Sequence, residues 1–354
     1  MSKITRITVR GYKSIRALEA FELRDLNVLI GANGAGKSNF ISLFRLLTAL
    51  SEKRLQLYIQ KQGGPDALLF RSRKHSEHLI ATFNIEHDSG YCFSLAPTSD
   101  NRMVFDLEAL WLNSPKTQNQ LDENINPNTN GYFEAKAFQP FKWRVYHFHD
   151  TGDSARVKQL HAINDNLRLK PDATNLAAYL FRLHNDHIDS YKRIVETIRL
   201  AAPFFGDFVH REPVNDSIQL EWTEYNDPDT PLKAHMLSDG TLRFICLTTL
   251  LLQPTELLPD TILIDEPELG LHPYAIALLA DMLREVSENT QLIISTQSVE
   301  LLNHFNAEDV IVVDRINDES VFRRLDTESL HDWLQDYSLG ELWKQNVLGG
   351  RPSR

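Results

Sequence analysis

The stretch that decides the fold is LNVLIGANGAGKSNF, residues 26–40. It begins with an apolar run that ends in glycine, and the residues after Ser38 place Phe, Ile and Leu at helical spacing. The predicted order is therefore strand, glycine-rich loop, helix. The loop, GANGAGKS at 31–38, fits the spacing G-x-x-x-x-G-K-[ST] in the context that this motif requires. We predict a phosphate-binding P-loop.

The residue types in this loop have chemical reasons to be there. Gly31, Gly34 and Gly36 allow backbone N–H groups to turn inward around phosphate oxygens. Lys37 can reach the β- and γ-phosphates, and the hydroxyl of Ser38 can be a ligand for Mg²⁺. The dipole of the helix that follows adds about half an elementary charge at its N-terminus. An ordinary glycine-rich turn is the alternative, and the flanking strand and helix argue against it.

A second signal lies in TILIDEPE, residues 261–268. Its apolar beginning predicts a buried strand that ends at Asp265, whose carboxylate can hold Mg²⁺ directly or through water. Glu266 follows at once and can orient the attacking water or accept its proton. We expect Glu268 only to cap the next helix, for which Pro273 fits the first position.

A third signal is the polar corner in KAHMLSDGTLRF, residues 233–244, which heads an apolar run with the length of a buried helix. Ser238 can accept backbone N–H bonds as a helix N-cap. Gly240 would allow a phosphate to approach closely. An ordinary N-cap is one interpretation, and a second phosphate-binding corner that meets the nucleotide of a partner subunit is the other.

The strand and helix signals divide residues 1–354 into an N-terminal lobe at about 1–150, a helical insertion at about 155–210 and a C-terminal lobe at about 211–354. Strands and helices alternate in the C-terminal part, which predicts a parallel sheet with helices on its faces. The polar, Asn-rich segment 113–131 is predicted to be a loop and the most disordered part. The predicted strands are 4–10, 26–31, three antiparallel strands within 78–112, 142–149, 217–225, 261–265, 291–295 and 309–315. The predicted helices follow Ser38 and lie at about 155–200, 239–252, 273–288 and 298–305.

The composition of the 354-residue chain excludes some classes of protein. No window approaches the length of a membrane span, and the N-terminus has no apolar core typical of a secretion signal. Cys92 and Cys246 match no metal-ligand spacing, which suits a reducing compartment and predicts a cytoplasmic protein. The net charge of −11 argues against coating nucleic acid through the overall field. One basic run is interpreted as a solvated surface, with DNA contact as the alternative; it contains Lys53, Arg54, Lys61, Arg71, Arg73 and Lys74.

Four segments together resemble the ABC-type ATPases of the RecF/SMC-like group: LSDGTLR, ITVRGYKSI, GKSN and DEPELGLHP. The resemblance covers residues 3–50 and 235–315 well. It implies an α/β P-loop NTPase fold, an ABC-type ATPase head with a mixed, antiparallel β lobe, a parallel core sheet and a helical insertion. It also implies ATP and Mg²⁺ as ligands, Asp265 as a metal ligand and Glu266 as the catalytic base. The implied nucleotide-binding residues are Gly31, Asn33, Gly34, Ala35, Gly36, Lys37, Ser38 and Asn39, with Ser238 and Gly240 acting on the nucleotide of a partner subunit.

Two features depart from that group. Where many members have a histidine that contacts the γ-phosphate, this sequence has Gln297, which can donate a hydrogen bond but cannot accept a proton. We therefore expect slow hydrolysis. The glutamine that senses Mg²⁺ between the lobes has no clear counterpart. His147 and His149 lie in the region where it would be, and packed or surface histidines are the favoured interpretation.

The resemblance implies an ATPase that dimerises around ATP and drives or gates a separate partner, such as a nuclease, in DNA repair or defence against phage. The alternative is a scaffold that keeps ATP bound and holds an effector with little turnover. A transporter subunit is a third hypothesis, and the signature SDGT and the insertion argue against it. We expect no membrane contact, and the sequence leaves DNA binding open.

Overall fold

The computed structural model describes residues 3–111, 142–211 and 216–350. The predicted loop at 113–131 lies outside the described residues. The described chain forms two principal sheets with a long helix between them, and this mixed α/β architecture confirms the predicted fold class.

The N-terminal sheet is antiparallel and has the strand order β2-β1-β4-β5-β6. In some of its strands apolar and polar residues alternate, and in others the apolar residues are continuous. One face of the sheet therefore packs into the core. Three of them fall within the predicted span 78–112. The bounds are β1 Ile4–Tyr12, β2 Ile15–Glu22, β4 Leu79–Ile85, β5 Ser89–Pro97 and β6 Met103–Trp111.

The core sheet has six strands in the order β16-β15-β3-β14-β13-β7. All neighbouring pairs are parallel except β15 with β16. The carboxyl ends of β3, β13 and β14 therefore meet at one edge, where ligands bind in open α/β sheets. The bounds are β3 Leu26–Ile30, β7 Trp143–Tyr146, β13 Thr261–Asp265, β14 Gln291–Ser295, β15 Val310–Ile316 and β16 Glu319–Arg324.

The described residues contain eleven α-helices. Those near the N-terminus are α1 Lys37–Ser51, α2 Leu55–Gln62 and α3 Pro65–Leu68. Those of the middle and the C-terminal part are α4 Leu176–Asp186, α5 Ile188–Ala201, α6 Asp239–Leu251, α7 Pro273–Ser287, α8 Val299–Leu302, α9 Thr327–Leu330, α10 Trp333–Asp336 and α11 Leu339–Lys344.

Helix α1 is held between the two sheets by aromatic packing. Phe40 and Phe44 are fully buried, with ring centroids 5.8 Å apart, and Phe44 lies 5.9 Å from Phe83 of β4. Burial of one such ring contributes about 2–3 kcal/mol. The packing fixes the start of α1, and with it the glycine-rich loop, against the core sheet.

The helical insertion begins later than the sequence predicts. Residues 155–175 contain a 3-10 turn and β8 (His161–Ala162), and the first helix begins only at Leu176. The buried amide of Asn175 explains the difference, because it donates to the carbonyl oxygens of Asp165 (2.7 Å) and Arg168 (2.8 Å) and closes this segment as a compact loop.

Two other boundaries differ from the prediction. The predicted strand 217–225 is split into β10 (Ser217–Ile218) and β11 (Glu221–Glu224), which pair with different partners. The predicted helix 298–305 is a single four-residue turn, α8, because the N–H groups of His304 and Phe305 bond to carbonyl oxygens three residues earlier, as in a turn. Two further strands, β9 Phe205–Phe208 and β12 Asp227–Lys233, flank β11.

Cys92 and Cys246 are buried free thiols, as packed cysteines would be. Among the helices of the described residues, none has the length and apolar content needed to cross a membrane.

Candidate active site

The glycine-rich loop between β3 and α1 needs glycine for two reasons. Gly31 and Gly36 have φ angles of 151° and 120°, which disfavour residues with a side chain. A Cβ at Gly31 would lie 2.2 Å from the carbonyl oxygen of Val313, and one at Gly36 would lie 2.0 Å from Oγ of Ser320. The loop is thus pressed against β15 and β16, and its conformation is fixed by the fold.

Lys37 opens α1 and folds back over the loop. Its Nζ donates to the carbonyl oxygens of Gly31 (2.6 Å) and Ala32 (3.1 Å), and the residue is 5% exposed. Burial lowers the pKa of this amine, and the carboxylates of Glu266 and Asp265 act in the opposite direction. Asp265 at the end of β13 and Glu266 directly after it therefore lie within electrostatic reach of Lys37.

The other loop residues divide into exposed and engaged ones. Asn33, Gly34 and Ser38 are exposed at the loop tip and the first turn of α1. The amide of Asn39 donates to Oγ of Ser14 at 2.7 Å, which ties α1 to the turn between β1 and β2. The structure thus gives Asn39 a partner within the chain, and its contact with nucleotide stays a prediction.

Two residues that the sequence did not identify support the loop from the C-terminal part. Ser320 donates to the carbonyl oxygen of Ala35 at 2.5 Å, and its hydroxyl lies 2.6 Å from that of Ser14. Arg315 donates to the carbonyl oxygen of Gly34 at 3.2 Å, from the end of β15. No local spacing connects these residues to the loop, so only the fold could place them there.

Glu266 has an unusual backbone. Its φ angle is 48°, in the left-handed region, directly after β13. Such a conformation costs on the order of 1–3 kcal/mol for a residue with a side chain, and it is held here by a 2.7 Å hydrogen bond from its N–H to the carbonyl oxygen of Ser295. The carboxylate accepts a hydrogen bond from the amide of Gln297. The strain falls on the residue predicted to be the base.

Glu268 does not cap α7, which corrects the sequence-based expectation. The N-cap is His272, whose Nδ1 accepts from the N–H of Tyr274 at 3.3 Å. Glu268 is instead 9% exposed and accepts from Oγ1 of Thr296 (2.6 Å) and the N–H of Gln297 (3.2 Å). Burial raises the pKa of its carboxyl group. It anchors the segment that carries Gln297.

The oxygen atoms near the loop fit a magnesium ion. One carboxylate oxygen of Asp265, Oδ1, is buried and has no hydrogen-bond partner among the described residues. A buried unpaired carboxylate oxygen is costly unless a cation or water satisfies it. The hydroxyl of Ser38 supplies a second hard oxygen donor. The part of the chain that the structure describes contains no group of three or more His, Cys, Asp or Glu residues placed to hold a metal, and a P-loop site needs none because the phosphates complete it.

The polar corner at 233–244 is a capped helix end. Oγ of Ser238 accepts from the N–H of Thr241 at 3.1 Å, so the predicted N-cap of α6 is present. Both residues of the predicted site stay near the surface, with Ser238 exposed and Gly240 half-buried. A Cβ at Gly240 would lie 2.5 Å from the carbonyl oxygen of Gly270. Close packing against the segment after β13 is therefore sufficient to require this glycine.

Arg243 ties this corner to the acidic residues. Its guanidinium donates to the carbonyl oxygens of Phe148 (2.9 Å), His149 (3.3 Å) and Leu269. Nε2 of His149 in turn lies 2.9 Å from the carbonyl oxygen of Asp265. One arginine thus connects α6, the end of β7 and the segment after β13.

The two histidines that follow β7, His147 and His149, have different surroundings. His149 contacts the backbone of Asp265, as described above, and so lies beside the predicted metal ligand. Burial first and Arg45 second lower the pKa of His147.

A family model described as "AAA domain, putative AbiEii toxin, Type IV TA system" matches residues 26–303. No curated protein matches the sequence significantly.

Several solved structures share the fold. An SmcHead bound to the C-winged helix domain of ScpA is 16% identical with a TM-score of 0.61, covering 93% of this chain and 99% of that one. The Smc head domain from Pyrococcus furiosus, with an extended coiled coil and bound to the C-terminal domain of ScpA, is 16% identical with a TM-score of 0.58, covering 95% and 99%. The Smc head domain with a coiled coil and joint from Pyrococcus yayanosii is 11% identical with a TM-score of 0.55, again covering 95% and 99%. At these identities the likeness establishes the fold alone.

Proposed function

The chain belongs to the family described as AAA domain, putative AbiEii toxin, Type IV TA system, and is an ATPase with the fold of an SMC head; from this premise we propose that two copies close around ATP. Each P-loop would face the Ser238 corner of the other copy, and hydrolysis would release the pair. The single head over residues 1–354, with its N-terminal lobe, helical insertion and C-terminal lobe, is part of this proposal.

The surface around Ser238 supports closure. Met236, Leu269 and Tyr274 flank the corner in sequence or through the Gly240–Gly270 contact, and they are 68%, 46% and 53% exposed. Exposed apolar side chains next to a polar, capped helix end are typical of an interface that forms and breaks. The observation that carries the proposal is this exposed corner, which is fixed rigidly to the segment after β13 by Arg243.

The residues near the loop would have separate roles in binding the phosphates, holding Mg²⁺ and activating water. The loop amides and Lys37 would bind the phosphates, and Ser38 and Asp265 would hold Mg²⁺. That ion, when bound, neutralises charge on the phosphate oxygens. Glu266 would orient the attacking water and take its proton, and its strained backbone holds the carboxylate in place.

The contact between Gln297 and Glu266 favours a second candidate function, a scaffold with little turnover. The Gln297 amide donates to the carboxylate that should receive the proton, and an amide cannot carry the proton away. A closed pair would then persist and hold an effector for a long time. The rate of ATP turnover distinguishes an ATPase that cycles from such a scaffold.

The partner is proposed to be a separate protein, such as a nuclease, in phage defence or DNA repair. The family is described as a putative toxin of a Type IV TA system, so a role in defence is the first to test. Two related Smc heads are described as bound to ScpA, which supports a head of this fold meeting a second protein. We propose a cytoplasmic setting, supported by the buried free thiols of Cys92 and Cys246.

The test is the solution mass of Glu266→Gln, measured by light scattering with and without ATP and Mg²⁺. This variant keeps the shape of the side chain but removes the base, so the ATP-bound pair should accumulate and turnover should fall at least about 100-fold. A mass that ATP does not change would overturn closure around ATP. The rate of ATP hydrolysis by the wild type, measured on the same samples, separates the two candidates. Repeated turnover supports the cycling ATPase, and a pair that persists without turnover supports the scaffold.

A further inference from the structure

A groove of about 1030 Å³ runs beside β7, which is the last strand of the core sheet among the described residues. One wall is formed by the second half of α1 together with α2, and the other by the loop of residues 156–174 that precedes α4. Arg144 and Val145 of β7 form its floor. The site described above lies at the carboxyl ends of the strands, so the groove is a separate feature.

The groove is strongly basic in an acidic protein. Seven lysine or arginine side chains and three acidic ones line it, an excess of four positive charges in a chain whose net charge is −11. Two acids are already neutralised inside the groove, Glu52 by Arg54 and Asp165 by Lys170. Five cations have no ion pair with any described residue: Arg45, Lys61, Arg144, Arg156 and Arg168.

Like charges lie close together here. Arg168 acts on Arg144 and, together with burial, lowers the pKa of that guanidinium. Arg45 acts in the same way on the half-exposed ring of His147 at the end of β7. Positive groups held near one another without counter-charges repel, and a bound polyanion removes that cost.

We propose that this groove binds a single strand of nucleic acid through its phosphate backbone. The proposal extends the proposed function, on which it rests for the biological setting alone, because it does not require two copies to close. It also changes the interpretation of the basic run in the sequence. Arg54 and Lys61 line the groove, whereas Arg71 and Arg73 are paired elsewhere, with Asp318 and Asp66.

The side chains favour phosphodiesters over an acidic peptide. Five of the seven cations are arginines, whose planar fork matches phosphate oxygens. Tyr58 on the α2 wall offers a ring on which a base can stack, and Asn164 and Asn166 on the other wall offer amides to base edges. Arg144 of β7 is partly buried, so a flexible single strand should reach it more readily than a stiff duplex.

The test uses the full chain and a fluorescent oligothymidylate of about 12 nucleotides, with binding followed by anisotropy over a range of salt concentrations. Five phosphate contacts predict a slope of log affinity against log salt of roughly −3 to −4. Arg168→Glu and Arg45→Glu change exposed residues, so the fold should persist, which a melting curve verifies. Each should weaken binding about tenfold or more and flatten the slope by about one contact.

The matched control is Lys192→Glu, which makes the same charge change on an exposed residue of α5 outside the groove. It should leave the affinity within about twofold. Equal losses in the control and the groove variants would overturn the proposal, because they would report only the overall charge. Displacement of the oligonucleotide by polyglutamate at equal charge, or equally tight binding of a duplex, would also overturn it. ATP turnover in the same samples separates this outcome from failure of the proposed function.

Discussion

Two helix starts, those of α1 and α6, both combine glycine with a hydroxyl residue, yet their surroundings differ. At α1 the glycines are required by the loop itself, since Gly31 and Gly36 have φ angles of 151° and 120°. At α6 the backbone is ordinary, and Gly240 is required by the nearness of the carbonyl oxygen of Gly270. The first start is set by the backbone conformation of the loop together with its contacts to β15 and β16, and the second by close packing alone.

The difference indicates how the two corners can communicate. The loop before α1 is braced by Ser320 and Arg315, which belong to the far edge of the core sheet. The α6 corner is braced by Arg243 to the residues that follow β13. Arg243 thus connects the segment after Asp265 and Glu266 with the surface that we propose meets the other copy.

The largest effect is expected at the start of α1, where we propose that ATP binds. Lys37→Ala removes the buried amine that folds over the loop carbonyls, and with it the charge that would meet the β- and γ-phosphates. We expect ATP affinity to fall about 100-fold or more, measured by calorimetry. Lys192→Ala, on exposed α5, is the control. Normal affinity in Lys37→Ala would remove the P-loop assignment.

The next effect concerns the second corner alone. Ser238→Arg places a bulky cation at the exposed end of α6 and should block the ATP-dependent pair, while ATP still binds the single copy with normal affinity. Ser238→Ala separates bulk from capping, because it loses only the N-cap, worth about 1 kcal/mol of unfolding free energy. Light scattering with ATP gives the readout, and a Ser238→Arg protein that still pairs would show that the corner has no role in trans.

A paired glycine substitution sharpens the comparison. Gly34 has a φ of 79° and open space around it, so Gly34→Ala should strain the loop and lower the ATP affinity of the single copy about tenfold. Gly240→Ala should push against Gly270, costing about 1–2 kcal/mol of unfolding free energy, and leave that affinity within about twofold. Urea unfolding and ATP titration are measured on both. The same pattern in both variants would mean that the two corners do not differ as described.

The sequence predicted what depends on neighbours along the chain. The P-loop, the acidic strand end and the N-cap at Ser238 are local patterns in which spacing, strand and helix occur together, and the structure has them at the predicted positions. The segment 155–175 was predicted as helix and is a loop, because the side chain of Asn175 satisfies backbone carbonyls ten and seven residues earlier.

Contacts between distant parts of the chain could not be predicted. Arg315 reaches Gly34 across 281 positions, and Arg243 reaches Phe148 across 95. Glu268 is the clearest case, because an acid after a strand near a helix start is typical of a cap. Only the burial of that carboxylate against Thr296 reveals its different role.

The smallest effect tests Glu268. Burial raises the pKa of its carboxyl above the ordinary 4.5, so the folded protein binds more protons than the unfolded chain between those two pKa values. The free energy of unfolding should therefore decrease as the pH rises from about 4.5 through the raised pKa. Glu268→Gln keeps an acceptor for Thr296 and Gln297 but does not titrate. It should remove this decrease and be more stable than the wild type at neutral pH by about 1 kcal/mol.

Urea unfolding at a series of pH values measures the difference, with Glu196→Gln on the exposed face of α5 as the matched control. The gap between Glu268→Gln and the wild type should widen from pH 4.5 to neutrality, and the control should follow the wild type throughout. A gap that is constant with pH would mean that the pKa of Glu268 is the same in the folded protein and in the unfolded chain, so that the group is a carboxylate at neutral pH. In that case it would hold Thr296 and Gln297 as a carboxylate, and the segment that carries Gln297 would respond to its charge and not only to its hydrogen bonds.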